Sequence, residues 1–133
     1  SKTEIELEFR WLHADDDAVK ELLTKSKKSY PVEMSKQGSR VNVTLNEDHE
    51  LFEALCEKAS REYVCSPADA RVAVKDFYET DLSMYVYHVS SLKSVDFSQF
   101  TTLEALHMRL LGTAWTIYPK VAQSISKKGT HKR

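Results

Sequence analysis

The chain has little of what builds disulfide frameworks, linkers or membrane spans. Two cysteines in 133 residues, Cys56 and Cys65, are too few to staple a domain of this size. Their spacing fits neither a redox C-x-x-C pair nor a zinc knuckle, so both are expected as free thiols. Three glycines and three prolines leave no linker composition before the last residues. The longest uncharged run, Leu82 to Leu92, contains His88 and three serines and falls short of the ~18 apolar residues a membrane span needs. A secretory signal would need an apolar core near the start, where Lys2, Glu4, Glu6, Glu8 and Arg10 stand instead. A cytoplasmic protein with no membrane segment is expected. No G-x-S-x-G, glycine-rich phosphate loop or H-E-x-x-H occurs, which removes the commonest hydrolase, nucleotide and zinc-protease signatures.

What is present suits one packed domain. Hydrophobic residues make up 41% and aromatic residues 10%, enough for a core, while 29% charged residues suit a solvated surface. Nineteen Lys and Arg against 20 Asp and Glu exclude a strongly basic nucleic-acid coat and an acidic disordered chain. The distribution is uneven: residues 1–119 hold 14 basic and 20 acidic groups, and residues 120–133 hold five basic and none acidic. We therefore expect a single α+β domain over 1–126 and a flexible basic tail over 127–133.

From Glu4 to Leu12 apolar and charged residues alternate, with Ile5, Leu7, Phe9 and Trp11 on one side, which predicts a strand with one dry face. Asp15, Asp16 and Asp17 suit a helix start, and Val19, Leu22 and Leu23 extend it to about residue 27. After Pro31, Val32 and Met34 alternate with polar residues, Gln37-Gly38 offers a tight turn, and Val41, Val43 and Leu45 alternate again. This reads as a β-hairpin. Asn46 as cap, acidic Glu47, Asp48 and Glu50, and the stripe Leu51, Phe52, Leu55, Cys56, Ala59, Tyr63 predict a helix over about 47–63.

Residues 67–78 carry two patterns. Ser66-Pro67 followed by Ala70, Ala73, Val74 and Phe77 on one face suits a helix. Val72, Val74, Phe77 and Tyr78 favour a strand, and Leu82 to Ser91 reads as extended, so a second hairpin closed by Glu79, Thr80 and Asp81 is expected. Thr101 to Glu104 reads as a capping box for a long last helix with Leu103, Leu106, His107, Leu110, Leu111, Ala114, Ile117 and Val121 on its dry side, kinked near Pro119. The order β-α-β-β-α-β-β-α begins as a ferredoxin-like β-α-β-β-α-β two-layer sandwich, extended by an extra strand and a long C-terminal helix. That reading requires residues 67–78 to be extended.

Candidate chemistry is sparse. RNA binding by base stacking needs aromatics on the open sheet face, where Glu4, Glu6, Glu8, Asn42 and Thr44 stand. Lys127, Lys128, Lys132 and Arg133 in the tail are candidate phosphate contacts for a nucleic-acid-associated protein. His49 and Glu53 are one helical turn apart and read as a solvated pair rather than two metal ligands. His88, with His13 as the only partner in view, would be needed for a small His-dependent enzyme, and His107 lies in the dry seam of the last helix. Tyr85, Tyr87, Trp115 and Tyr118 are aromatics in excess of the inward set, and such residues are enriched at interfaces. The expected function is a small protein-interaction module, an inhibitor, immunity, adaptor or regulatory protein. It would meet a protein partner, or a second copy, through an acidic body and this aromatic patch. No cofactor or metal is expected.

Overall fold

Strict alternation in the first dozen residues produces the first strand, β1 (Glu6–Leu12), in a computed structural model described for residues 4–13, 16, 17, 20, 30–62 and 65–113. The hairpin follows as expected, with β2 (Val32–Gln37) and β3 (Arg40–Asn46) joined through Gly38 at φ 61°. Positive φ is strained for a side chain with a Cβ, so the turn falls on this glycine. The sheet has three strands in the order β1-β3-β2, with β1 parallel and β2 antiparallel to β3. A parallel pair needs a crossover of a dozen or more residues, and between β1 and β3 the chain runs through residues 13–39, with β2 making the return along the sheet. The helix expected over 15–27 lies mostly outside the described residues. Its start is visible: the His13 N–H donates to Asp16 Oδ2 at 2.7 Å, and Asp17 and Lys20 are helical.

Helix α1 (Glu50–Glu62) begins three residues later than the acidic run suggested. Asn46 Oδ1 accepts from the Asp48 N–H at 3.0 Å and holds a turn, while the Nδ1 of buried His49 accepts from the Leu51 N–H at 3.1 Å and caps the helix.

The main correction concerns residues 67–91. They form one helix, α2 (Pro67–Ser91), so the second hairpin and both of its strands are absent. Ser66 Oγ accepts from the Asp69 N–H at 3.1 Å, and Pro67 occupies a first-turn position where its missing N–H is harmless. Beyond it no glycine or proline interrupts the segment, and Thr80, expected in a turn, donates its hydroxyl to the Asp76 carbonyl one helical turn back, at 2.8 Å. Buried residues recur as Ala70, Ala73, Val74, Tyr78, Leu82, Val86 and Val89, a helical period. The helix penalty of valine and tyrosine relative to alanine is under about 0.7 kcal/mol per residue, less than the burial of each large side chain in that stripe. Without strands after α1, the described residues make a mixed α+β fold and not the ferredoxin-like sandwich.

A short helix, α3 (Phe97–Phe100), is capped by Asp96 where a loop was expected, and a further helix, α4 (residues 103–113), follows. Thr102 rather than Thr101 caps it, its Oγ1 accepting from the Ala105 N–H at 3.1 Å. No helix among the described residues is long and apolar enough to cross a membrane.

Helices α1 and α2 belong to one core with one face of the sheet, where Val32, Val41, Val43 and Leu45 have no exposure. Phe52 of α1, Tyr78 of α2 and Trp11 of β1 meet with ring centroids 5.0, 5.5 and 5.9 Å apart, tying the strand to both helices. Leu7, Phe9 and Trp11 share this face but stay half-buried, because β1 is at the sheet's edge.

Candidate functional site

The densest group of ionisable side chains lies where β1 and β3 both end. The Glu47 N–H donates to the Leu12 carbonyl at 2.8 Å, which holds its side chain over this end of the sheet. Glu47 Oε1 accepts from Arg71 Nε at 3.3 Å and Nη2 at 3.0 Å, and Oε2 lies 3.1 Å from Lys75 Nζ. Arg71 also donates to Glu53 at 2.9 Å and stacks over Phe52 at 5.2 Å, while Lys75 sits 5.3 Å from the Trp11 ring. The Trp11 indole N–H donates to Glu79 at 3.1 Å. Burial alone would raise the Glu47 pKa, but hydrogen bonds and charge from Arg71 and Lys75 hold it below its ordinary value. The Arg71 pKa is raised: burial opposes its charge, and Glu53 and Glu47 more than offset that.

Chemically this is a fixed ion network. Both Glu47 oxygens are occupied by cations, and a carboxylate held ionised in this way positions its neighbours and is a poor proton acceptor. Exposed His13 approaches the network, with Nε2 3.8 Å from Glu47 and Nδ1 3.5 Å from Asp48. His88 does not join it. It is exposed on α2, thirteen residues past Lys75, and so about 20 Å farther along the helix. The His13–His88 pair that an enzyme would need is not assembled.

The other candidate groups also resolve. The expected solvated His49–Glu53 pair is not formed: His49 is 3% exposed and Glu53 faces Arg71. The His107 ring lies edge-on between Tyr30 at 5.6 Å and His49 at 5.4 Å. Among the described residues no three His, Cys, Asp or Glu side chains form a metal-ligand set. Cys56 and Cys65 are free thiols, and burial pushes Cys56 up to about 12, so it is inert at neutral pH.

The proposed aromatic patch divides. Tyr85 is half-buried and works within the fold: its hydroxyl donates to the Phe100 carbonyl at 2.7 Å, and Arg109, held by Asp81 at 2.8 Å, lies 5.2 Å over its ring. Tyr87, two positions on and so about 200° around the helix, faces the other way. It is 51% exposed, and its hydroxyl donates to the Ile5 carbonyl, just before β1, at 3.2 Å. The shared strand face expected for Tyr85 and Tyr87 does not exist. Trp115, Tyr118, Lys127, Lys128, Lys132 and Arg133 lie outside the described residues.

Tyr87 instead joins an acidic strand. Glu4, Glu6, Glu8 and Arg10 are exposed along one face of β1 and the residue pair before it, Leu7, Phe9 and Trp11 are half-buried on the other, and the weak Glu6–Arg40 pair spans 3.7 Å. Met84, 60% exposed, lies near Tyr87 in sequence on α2. Sequence reasoning missed Glu47, Arg71 and Lys75 as a group, because only the parallel pairing of β1 with β3 brings Leu12 and Asn46 side by side. No protein-family model matches the chain, and neither a curated protein nor a solved structure is detectably similar to it.

Proposed function

We propose that the protein is a small protein-interaction module, of the inhibitor, immunity, adaptor or regulatory kind. Its partner would meet an acidic surface flanked by exposed aromatic and apolar side chains. The observation that carries this reading is the surface around β1, where exposed Glu4, Glu6 and Glu8 stand beside half-exposed Leu7, Phe9 and Trp11 and the half-exposed Tyr87 ring. Interface cores favour aromatic side chains, and unpaired charges at the rim steer complementary partners. Elsewhere Glu47 and Asp81 are engaged by arginines inside the fold, and Cys56 is held as a neutral thiol. The two free thiols suit a reducing, cytoplasmic setting.

The test is a variant with Glu4, Glu6 and Glu8 changed to Gln and Tyr87 to Ser. Because these groups lie outside the core, its melting temperature should stay within a few degrees of the parent's. Retention of host proteins by the immobilised full chain should fall sharply. The same proteins retained equally by both chains would refute this assignment of the surface.

A further inference from the structure

We propose that the outer edge of β1 is a strand-addition site for a partner segment in which basic and apolar residues alternate. The inference rests on the interaction-module reading and specifies the partner that reading leaves open.

Main-chain geometry defines the edge. The Glu6 N–H donates to the Ser39 carbonyl at 2.8 Å, and at the other end the Leu12 carbonyl accepts from the Glu47 N–H at 2.8 Å. In a parallel pair a residue turns its N–H and C=O toward the same neighbour, so Glu6, Glu8, Arg10 and Leu12 face β3. Ile5, Leu7, Phe9 and Trp11 therefore direct their main-chain groups to the opposite side. Tyr87 covers the first of these by donating to the Ile5 carbonyl. Among the described residues no strand takes the rest, and such a row of donors and acceptors is a template for another strand.

Side chains then choose the occupant. Leu7, Phe9 and Trp11 form a half-buried ledge beside Val41, Val43 and Leu45, which have no exposure, so alternate apolar residues of an added strand would extend the core. On the other face the row Glu4, Glu6, Glu8, Arg10 carries three carboxylates against one guanidinium. A second copy laid in parallel register would set carboxylate against carboxylate, and an acidic segment would be repelled. Lys or Arg at alternate positions would instead form cross-strand charge pairs. The same carboxylates that oppose a second copy in parallel register thus select a basic strand.

The probe is a blocked octapeptide of alternating lysine and valine, tested on the full chain beside versions with serine or glutamate in place of lysine and one N-methylated at every residue. The lysine peptide should slow hydrogen exchange at the Leu7, Phe9 and Trp11 amides and leave those of Glu8 and Arg10, already bonded to β3, unchanged. The serine peptide should bind about tenfold more weakly, the sum expected of a few cross-strand charge pairs. The glutamate and N-methylated peptides should not bind.

Equal binding of the N-methylated peptide, or no alternate protection with the lysine peptide, would overturn strand addition. Equal binding of the glutamate peptide would overturn the charge selection. Neither result bears on whether the Gln and Ser variant loses its host partners, so the failure of this inference and the failure of the broader reading are separable.

Discussion

Helix α2 meets β1 at two ends that treat similar residues in opposite ways. Near Trp11 each charge has a partner: Glu47 holds Arg71 and Lys75, Glu79 accepts from the indole, and Phe52 and Tyr78 seal the joint. Near Ile5, itself half-buried against the core, the Tyr87 hydroxyl donates to the Ile5 carbonyl, while most of the Tyr87 ring, Met84 and the glutamates are exposed. The first end orders the fold. The second has exposed apolar area and carboxylates, only Glu6 of them near a cation, that no other side chain among the described residues covers and that a partner could use.

If the closed end carries the stability, Phe52→Ala should be the most damaging change. It removes a ring with no exposure from between Trp11 and Tyr78 and should lower the unfolding free energy by about 4 kcal/mol in urea titrations. Thiol reactivity should show the same rigidity: with its pKa near 12, Cys56 should be alkylated at pH 8 at least ~100-fold more slowly in the native chain than in the unfolded one. Equal rates would mean that this helix opens readily.

Next in size comes Glu47→Gln, which leaves Arg71 and Lys75 facing a neutral group. Both cations keep about a quarter of their side-chain exposure, so the loss should be ~2 kcal/mol rather than that of a fully buried pair. The sign of its pH dependence follows from the lowered pKa. A carboxylate whose folded value lies below its ordinary 4.5 contributes fully above that value and loses its contribution as pH falls through the folded one. The parent should therefore lose more stability than the Gln variant on acidification below about pH 4.5. Parallel acid curves would contradict the network's role. The smallest effect belongs to the open end: Tyr87→Phe, which loses one exposed hydrogen bond, should shift stability by under about 0.5 kcal/mol.

This division was only partly legible in the residues. Alternation in β1, the glycine turn and the stripe of α1 are local signals, and each produced its element. The extended reading of Leu82 to Ser91 is wrong because the run is rich in valine and tyrosine, which favour strands, and because Met84 and Tyr87 put large apolar side chains at solvent-exposed helix positions, where they blur the helical stripe. That error set Tyr85 and Tyr87 together, when the helix turns them to different neighbours. The ion network was invisible for another reason: Glu47 and Asp48 read as an acidic helix start, and Arg71 and Lys75 lay in the ambiguous segment, so only tertiary pairing could join them. The acidic face of β1 was visible from the start, as the feature that excluded RNA stacking.

Amide hydrogen exchange along β1 in the free protein tests the central claim, that one side of this strand is paired and the other open. Exchange should alternate, slow at Glu8, Arg10 and Leu12, whose amides face β3, and fast at Leu7, Phe9 and Trp11. Uniformly slow exchange from Glu6 to Leu12 would mean that the outer edge is already covered, and would contradict that claim.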